Sequence, residues 1–312
     1  MKHLVDFRVF ESAGHGLTKE QEQFLNKFTK GSWKYDLATG LVDVEGDFDI
    51  SYKSLGSMNG IKFGKVSGNF NCPGNDLTSL EGAPQEVGVG FDCGRNNLAS
   101  LEGAPQEVGR NFYCSGNKLT SLEGAPQEVG GNFYCSYNHK LTSLEGAPQE
   151  VGGDFNCWGN NLKSLEGSPQ SVNGRFNCFS NKLTSLVGAP QEVDGDFDCE
   201  MNYRLTTLEG APQEVGGGFS CSSFKLAEGK WNLEGWLKIL KEGSSKAQKL
   251  ILTLMSPEVL NKQIKQDPAG MIMKLKKVWN DESFKETRDK LIWPQGYEEE
   301  MDIVGGLNTI GF

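Results

Sequence analysis

Between residues 69 and 222 the apolar positions repeat as a fixed phrase. Phenylalanine comes first, cysteine two residues later, then two leucines and a valine, so that the core of each copy reads Phe-x-Cys-x-x-Asn-x-Leu-x-x-Leu. The opening residues are Phe70, Phe91, Phe112, Phe133, Phe155, Phe176, Phe197 and Phe219. The step is 21 residues, except where one residue is inserted at His139 and near Tyr203–Arg204. Phe-x-Cys alternates with period two, which predicts a short strand with both side chains turned inward. One asparagine keeps its place in every copy: Asn75, Asn96, Asn117, Asn138, Asn160, Asn181 and Asn202. A polar residue fixed beside the core predicts an amide ladder that satisfies backbone groups where the strand turns away. In the following Leu-Glu-Gly-Ala-Pro-Gln-Glu-Val, proline holds the preceding alanine extended, so this side is expected to be polyproline-like or irregular. Self-similarity at this period predicts a solenoid, each copy burying its apolar face against its neighbours.

The flanks divide the chain into residues 1–45, 46–222 and 223–312. In the first, Thr18-Lys-Glu-Gln21 has the form of a capping box, and Phe24, Leu25 and Phe28 make an apolar stripe. These predict a helix over 17–30, stopped at Gly31, that caps the solenoid. Val44, Phe48 and Ile50 fit the Val, Phe and Cys places, so residues 42–68 read as a degenerate first coil with Val66 restoring the register. From Phe224 the repeat fails and a helical pattern follows. Helices are expected over 231–243 and after Ser244. Ser256-Pro257 and Asp267-Pro268, each an N-cap followed by proline, predict two more over 257–266 and 268–278. A further helix is expected over 282–291, with a tail over 302–312. The fold class is therefore α+β: about eight to nine coils of 21–22 residues between an N-terminal helical cap and a C-terminal all-helical module.

The repeat resembles the leucine-rich repeat, with Phe and Cys replacing the first two strand leucines. Its short length and the Ala-Pro on the back resemble the bacterial subtype of secreted effectors. The fuller wording, Leu-Thr-Ser-Leu-Glu-Gly-Ala-Pro-Gln-Glu-Val-Gly-Gly-Asn-Phe-Tyr-Cys, is most similar to repeat proteins of large tailed bacteriophages, as is the stretch from Leu17 to Gly46. The resemblance implies a leucine-rich-repeat solenoid and a phage origin, and it carries over no activity.

A net charge of −10 and a pI near 5.0 suit a soluble protein, and the acidity of the repeats argues against a nucleic-acid groove along them. No apolar run approaches 18 residues and the first residues do not begin a secretory signal, so no membrane partner is expected. All eight cysteines share one repeat position, without a Cys-x-x-Cys pair. They predict a ladder of reduced, buried thiols, which places the protein in the cytoplasm, and no metal or cofactor is expected. Effectors with similar repeats carry a ubiquitin-ligase domain that needs a nucleophilic cysteine, but residues 222–312 contain neither cysteine nor histidine. With no phosphate loop, zinc motif or histidine constellation, the chain reads as not an enzyme.

The positions flanking Phe and Cys point outward and vary while the rest is copied. Tyr113, Tyr134, Trp158 and Phe179 are expected side by side across four coils, bordered by Arg175, Asp196, Asp198 and Glu200, with Arg95 and Tyr137 at the edge. Such residues dominate protein interfaces. The expected function is therefore binding of a bacterial host protein through the strand face by a phage-encoded inhibitor or modulator, with an antiviral defence component as a plausible target. The competing readings are lateral packing of the rings alone, a structural role in a virion, and nucleic-acid or small-ligand binding by the basic helical module (Lys274, Lys276, Lys277, Lys285, Arg288, Lys290). Partner identity and oligomeric state are not legible.

Overall fold

A computed structural model describes residues 16–205, 208, 210–221, 224–227, 257–276, 285–292 and 294. The repeats form a parallel β-solenoid of about eight turns. Each turn contributes two short strands. One carries the phenylalanine (Phe112–Tyr113, for example) and pairs in register with Phe91–Asp92 before it and Phe133–Tyr134 after it. The other is the Glu-Val of the back, so that Glu107–Val108 pairs with Glu86–Val87 and Glu128–Val129. The side that carries the proline is expected to be polyproline-like or irregular. It does turn through Glu-Gly-Ala-Pro, but Glu-Val immediately afterwards is extended and finds an identical neighbour one coil away. Alanine and proline face inward there: Ala125 and Pro126 are buried.

The core is a set of columns with one side chain type each. The phenylalanine rings stack nearly parallel, with centroids 5.2 Å apart between Phe112 and Phe133 and 5.3 Å apart between Phe176 and Phe197, the planes differing by 6° in both pairs. This spacing follows the roughly 4.8 Å step between paired strands and allows the offset stacking that aromatic rings favour. The cysteines and both leucines form parallel columns, fully or almost fully buried. None of the eight buried cysteines is joined in a disulfide.

The N-terminal cap is more than a helix. Helix α1 spans Lys19–Phe28, and its capping box forms: Gln21 N–H donates to Thr18 Oγ1 at 3.2 Å, and Thr18 N–H to Gln21 Oε1 at 2.9 Å. It ends two residues earlier than the sequence pattern suggests, because Thr29 is already extended and opens strand β1, Thr29–Asp36. Strand β1 returns antiparallel onto β2, Leu41–Asp49, with Trp33 opposite Val44 and Tyr35 opposite Val42. Gly31 is therefore a strand residue, not a helix stop. It faces Gly46 at a point where a Cβ would lie 1.9 Å from the Glu45 carbonyl oxygen. Strand β2 joins both ladders, pairing Val44 with Val66 and Phe48 with Phe70, the register expected from the sequence. The helix lays Phe24 against Phe48, centroids 6.0 Å apart, and so covers the open end of the phenylalanine stack.

At the other end Phe224–Ala227 is a strand, antiparallel to Phe219–Cys221, where the all-helical reading began at 223. Pairing with the last coil supplies backbone partners that a helix beginning there would leave unmet. Helix α2 spans Pro257–Gln266, α3 spans Pro268–Leu275 and α4 spans Lys285–Arg288. Asp267 caps α3, its Oδ1 accepting from Gly270 N–H at 3.0 Å. Asn261 holds α2 to the segment after α4, donating to the Lys290 carbonyl and accepting from Ile292 N–H. The helices expected over 231–243 and after Ser244, and the tail over 302–312, lie outside the described residues. Among the described residues no helix is long and apolar enough to cross a membrane.

Candidate functional site

The strand face is positioned by two polar ladders as well as by the sheet. In the first, each asparagine carboxamide joins its own coil to the preceding one. Asn117 accepts from Leu98 N–H at 3.1 Å and donates to the carbonyls of Cys93 and Cys114, both at 3.0 Å. Asn75, Asn96, Asn138, Asn160, Asn181 and Asn202 donate in the same way to the carbonyl at the Cys place of their own and the preceding coil. Seven buried side chains thus sit in one column.

The second ladder lies on the outward positions and was not visible in the sequence. Before the phenylalanine, the side-chain oxygen of one coil accepts the backbone N–H of the next: Asn111 from Asn132, Asn132 from Asp154, Asp154 from Arg175, and Asp196 from Gly218. After the phenylalanine, Asp49, Asp92, Asn156, Asn177 and Asp198 each accept the N–H two residues on, closing a turn. Much of the variation read as free surface is therefore Asn and Asp exchanging in a structural task. Asp196 and Asp198 belong to this scaffold. Asp198 also pairs with the Arg175 guanidinium, and Glu200 follows it, half-buried.

The aromatic residues fall into two groups rather than one stripe. Tyr113 and Tyr134 share a column directly after phenylalanine and pack edge-to-face, centroids 5.2 Å apart. In the next coils that column passes to Asn156 and Asn177. Trp158 and Phe179 stand two residues further along, so they meet each other at 6.2 Å, and Trp158 meets Tyr137 rather than the tyrosine pair. Tyr137 packs on Trp158 at 4.2 Å and keeps 46% of its surface exposed. Treated from the sequence as an edge residue, Tyr137 is the centre of this second group, with His139 at 6.1 Å. The signal was its place beside Asn138, one residue beyond the Trp158 column. Tyr113, Tyr134, Trp158 and Phe179 are all half-buried.

Electrostatically the face is mixed. Burial pushes the Asp92 carboxyl upward, against the Gly94 N–H and the nearby Arg95, which both lower it. Burial likewise raises the Tyr113 and Tyr134 phenols. The thiols at positions 72, 93, 114, 135, 157, 178 and 199 are all pushed up by burial, so none is poised as a thiolate. On the opposite ladder, Glu86, Glu107 and Glu128 stand in register along a shallow groove of about 560 Å³, with Lys65 paired to Glu86 at 3.0 Å. Among the described residues no group of three or more His, Cys, Asp or Glu side chains could hold a metal ion. The face offers rings and paired charges for contact with another molecule. Comparison with protein-family models, curated proteins and solved structures gives no match to this chain.

Proposed function

We propose that this chain is a leucine-rich-repeat protein of the phage type that binds a bacterial host protein through its strand face, without catalysing a reaction. The observation that carries the reading is the contiguous group Tyr137, Trp158 and Phe179, joined edge-to-face on a backbone held by two polar ladders. Rings fixed in advance lose little freedom on binding, and Tyr, Trp and Arg are the side chains on which interface energy concentrates. The Tyr113–Tyr134 pair extends the surface, and the Arg175–Asp198 pair with Glu200 orients the partner at its far end. Interference with an antiviral defence component is the purpose that the phage resemblance suggests, acting in the host cytoplasm. The buried, unreactive thiols fit a binding protein better than a cysteine enzyme.

The test is affinity capture from bacterial lysate with the full chain, beside a variant carrying alanine at Tyr113, Tyr134, Tyr137, Trp158 and Phe179. Circular dichroism would establish that both are folded. The reading expects a host protein retained by the first and lost by the second. Equal capture by both would remove the strand face from the interaction.

A further inference from the structure

In every coil from Tyr52 to Met201 the chain bends through a left-handed residue at the place second after the Cys position. Stacked in one column these residues are Tyr52, Gly74, Arg95, Gly116, Tyr137, Gly159, Ser180 and Met201, with φ between 52° and 73°. Glycine takes this conformation freely, whereas a side chain is strained there. Large residues nevertheless alternate with glycine along the first six coils, and the alternation has a geometric consequence. Each large side chain rests on the glycine of the next coil. A Cβ on Gly74 would lie 2.2 Å from the Tyr52 ring, one on Gly159 would lie 3.2 Å from the Tyr137 ring, and one on Gly116 would lie 3.4 Å from Arg95 Cγ. The tyrosines are thus backed on one side and open on the other, Tyr52 being 62% exposed. Strain that persists at exposed positions points to function.

A second, independent feature lies beside this column. The residue before the first leucine of each coil is Lys118, Lys140, Lys182 or Arg204 in four of the coils; Asn97 and Asn161 stand beside them, and the acidic Asp76 occupies the place only in the coil that begins at Phe70. Register is fixed by the backbone, Lys118 N–H and Lys182 N–H donating to Leu98 and Leu162 carbonyls at 2.9 Å. All four cations are exposed, and none forms an ion pair with a described residue, whereas Lys65 and Arg175 on the sheet faces do. The inserted Tyr203, 76% exposed, adjoins Arg204. Charge over the whole chain is −10, but screening over about 8 Å at physiological salt lets the local charge of an edge decide what approaches it.

We infer that this turn edge binds single-stranded nucleic acid. Lys118, Lys140, Lys182 and Arg204 track the phosphates, and Tyr52, Arg95 and Tyr137 offer faces for bases. A neutral sugar chain would use the rings and leave the cations idle, and an acidic peptide would use the cations and leave the rings idle. A nucleic-acid strand uses both, at an edge that shares Tyr137 with the strand-face contact proposed above but draws its cations from a different column.

The experiment is fluorescence anisotropy of labelled dT15 and U15 oligonucleotides with the full chain at 50 and 200 mM salt. Saturable binding is expected, weaker by about fifty-fold at the higher salt if about four phosphates are neutralised. Changing Lys118, Lys140, Lys182 and Arg204 together to alanine should weaken it at least about tenfold and flatten the salt dependence. Arg95→Gly should weaken binding while raising the melting temperature, a pair of effects that no folding defect produces; a lower melting temperature would overturn the argument from strain. Absence of binding at 50 mM salt, or binding untouched by the four-residue variant, would overturn the proposal. So would loss on changing Lys274, Lys276 and Lys277 to alanine, which would move the site to the C-terminal helices. Equal affinity for an inorganic polyphosphate of the same length would show that the rings take no base, and would overturn it too.

Discussion

The Asn117 carboxamide accepts from Leu98 N–H and donates to two carbonyls, and the three bonds are not equal in consequence. Cys93 and Cys114 carbonyls each keep a second asparagine donor, Asn96 and Asn138, so deletion of Asn117 strands one buried N–H, that of Leu98. Asn117→Ala should therefore cost about 1–3 kcal/mol in denaturant unfolding; a change within about 0.3 kcal/mol would contradict the ladder. At Asp92 burial raises the folded-state pKa above the ordinary 3.8. Its favourable contribution is then present below the unfolded value and is lost as pH rises through the folded one. Asp92→Asn keeps the bond to Gly94 N–H and removes the charge, so it should raise the melting temperature at pH 7 and leave it unchanged well below pH 3.8. The asparagine column was legible in the sequence because one residue type serves one place. The outer ladder was not, because Asn and Asp oxygens accept a hydrogen bond equally well, and exchange between them looks like freedom.

At the scale of the element, the solenoid depends on corners where backbones nearly touch. A Cβ on Gly130 would lie 2.4 Å from the Gly109 carbonyl oxygen. Both neighbours are backbone and cannot give way, so Gly130→Ala should destabilise by about 1–3 kcal/mol, as read by thermal unfolding alongside a surface control such as Lys118→Ala. Equal melting temperatures for the two would show that the corner has slack. Phe133, between two parallel rings, should cost about 3–5 kcal/mol as alanine. The short strands, the register of Val44 and Phe48, and the helices beginning at Pro257 and Pro268 were readable from period and caps. The hairpin of β1 and β2 was missed because α1 runs into it without a breaker. Its own signal, Trp33 and Tyr35 alternating before the turn at Gly40, was outweighed by the expected helix stop at Gly31. The two aromatic groups were merged because outward positions were counted along the chain, while contact is made between columns: Tyr137 reaches Trp158 because they adjoin across coils.

For the whole molecule, identical coils stack identical charges. Glu86, Glu107, Glu128 and Glu150 face one another in register, as do Glu192 and Glu214. Like charges directly opposite are destabilising and are screened by salt. The melting temperature should therefore rise between 20 and 300 mM sodium chloride; a fall would mean that ion pairs such as Lys65–Glu86 outweigh the repulsion. The same repetition gives the molecule its use in this account: a stiff support on which a few outward places differ. Hydrogen exchange of the full chain, measured with and without the host protein that affinity capture identifies, tests this most directly. The account predicts slowed exchange over residues 133–137, 155–159 and 176–180, where Tyr137, Trp158 and Phe179 sit. Slowing confined to the Glu-Val ladder or to residues 257–292 would contradict it.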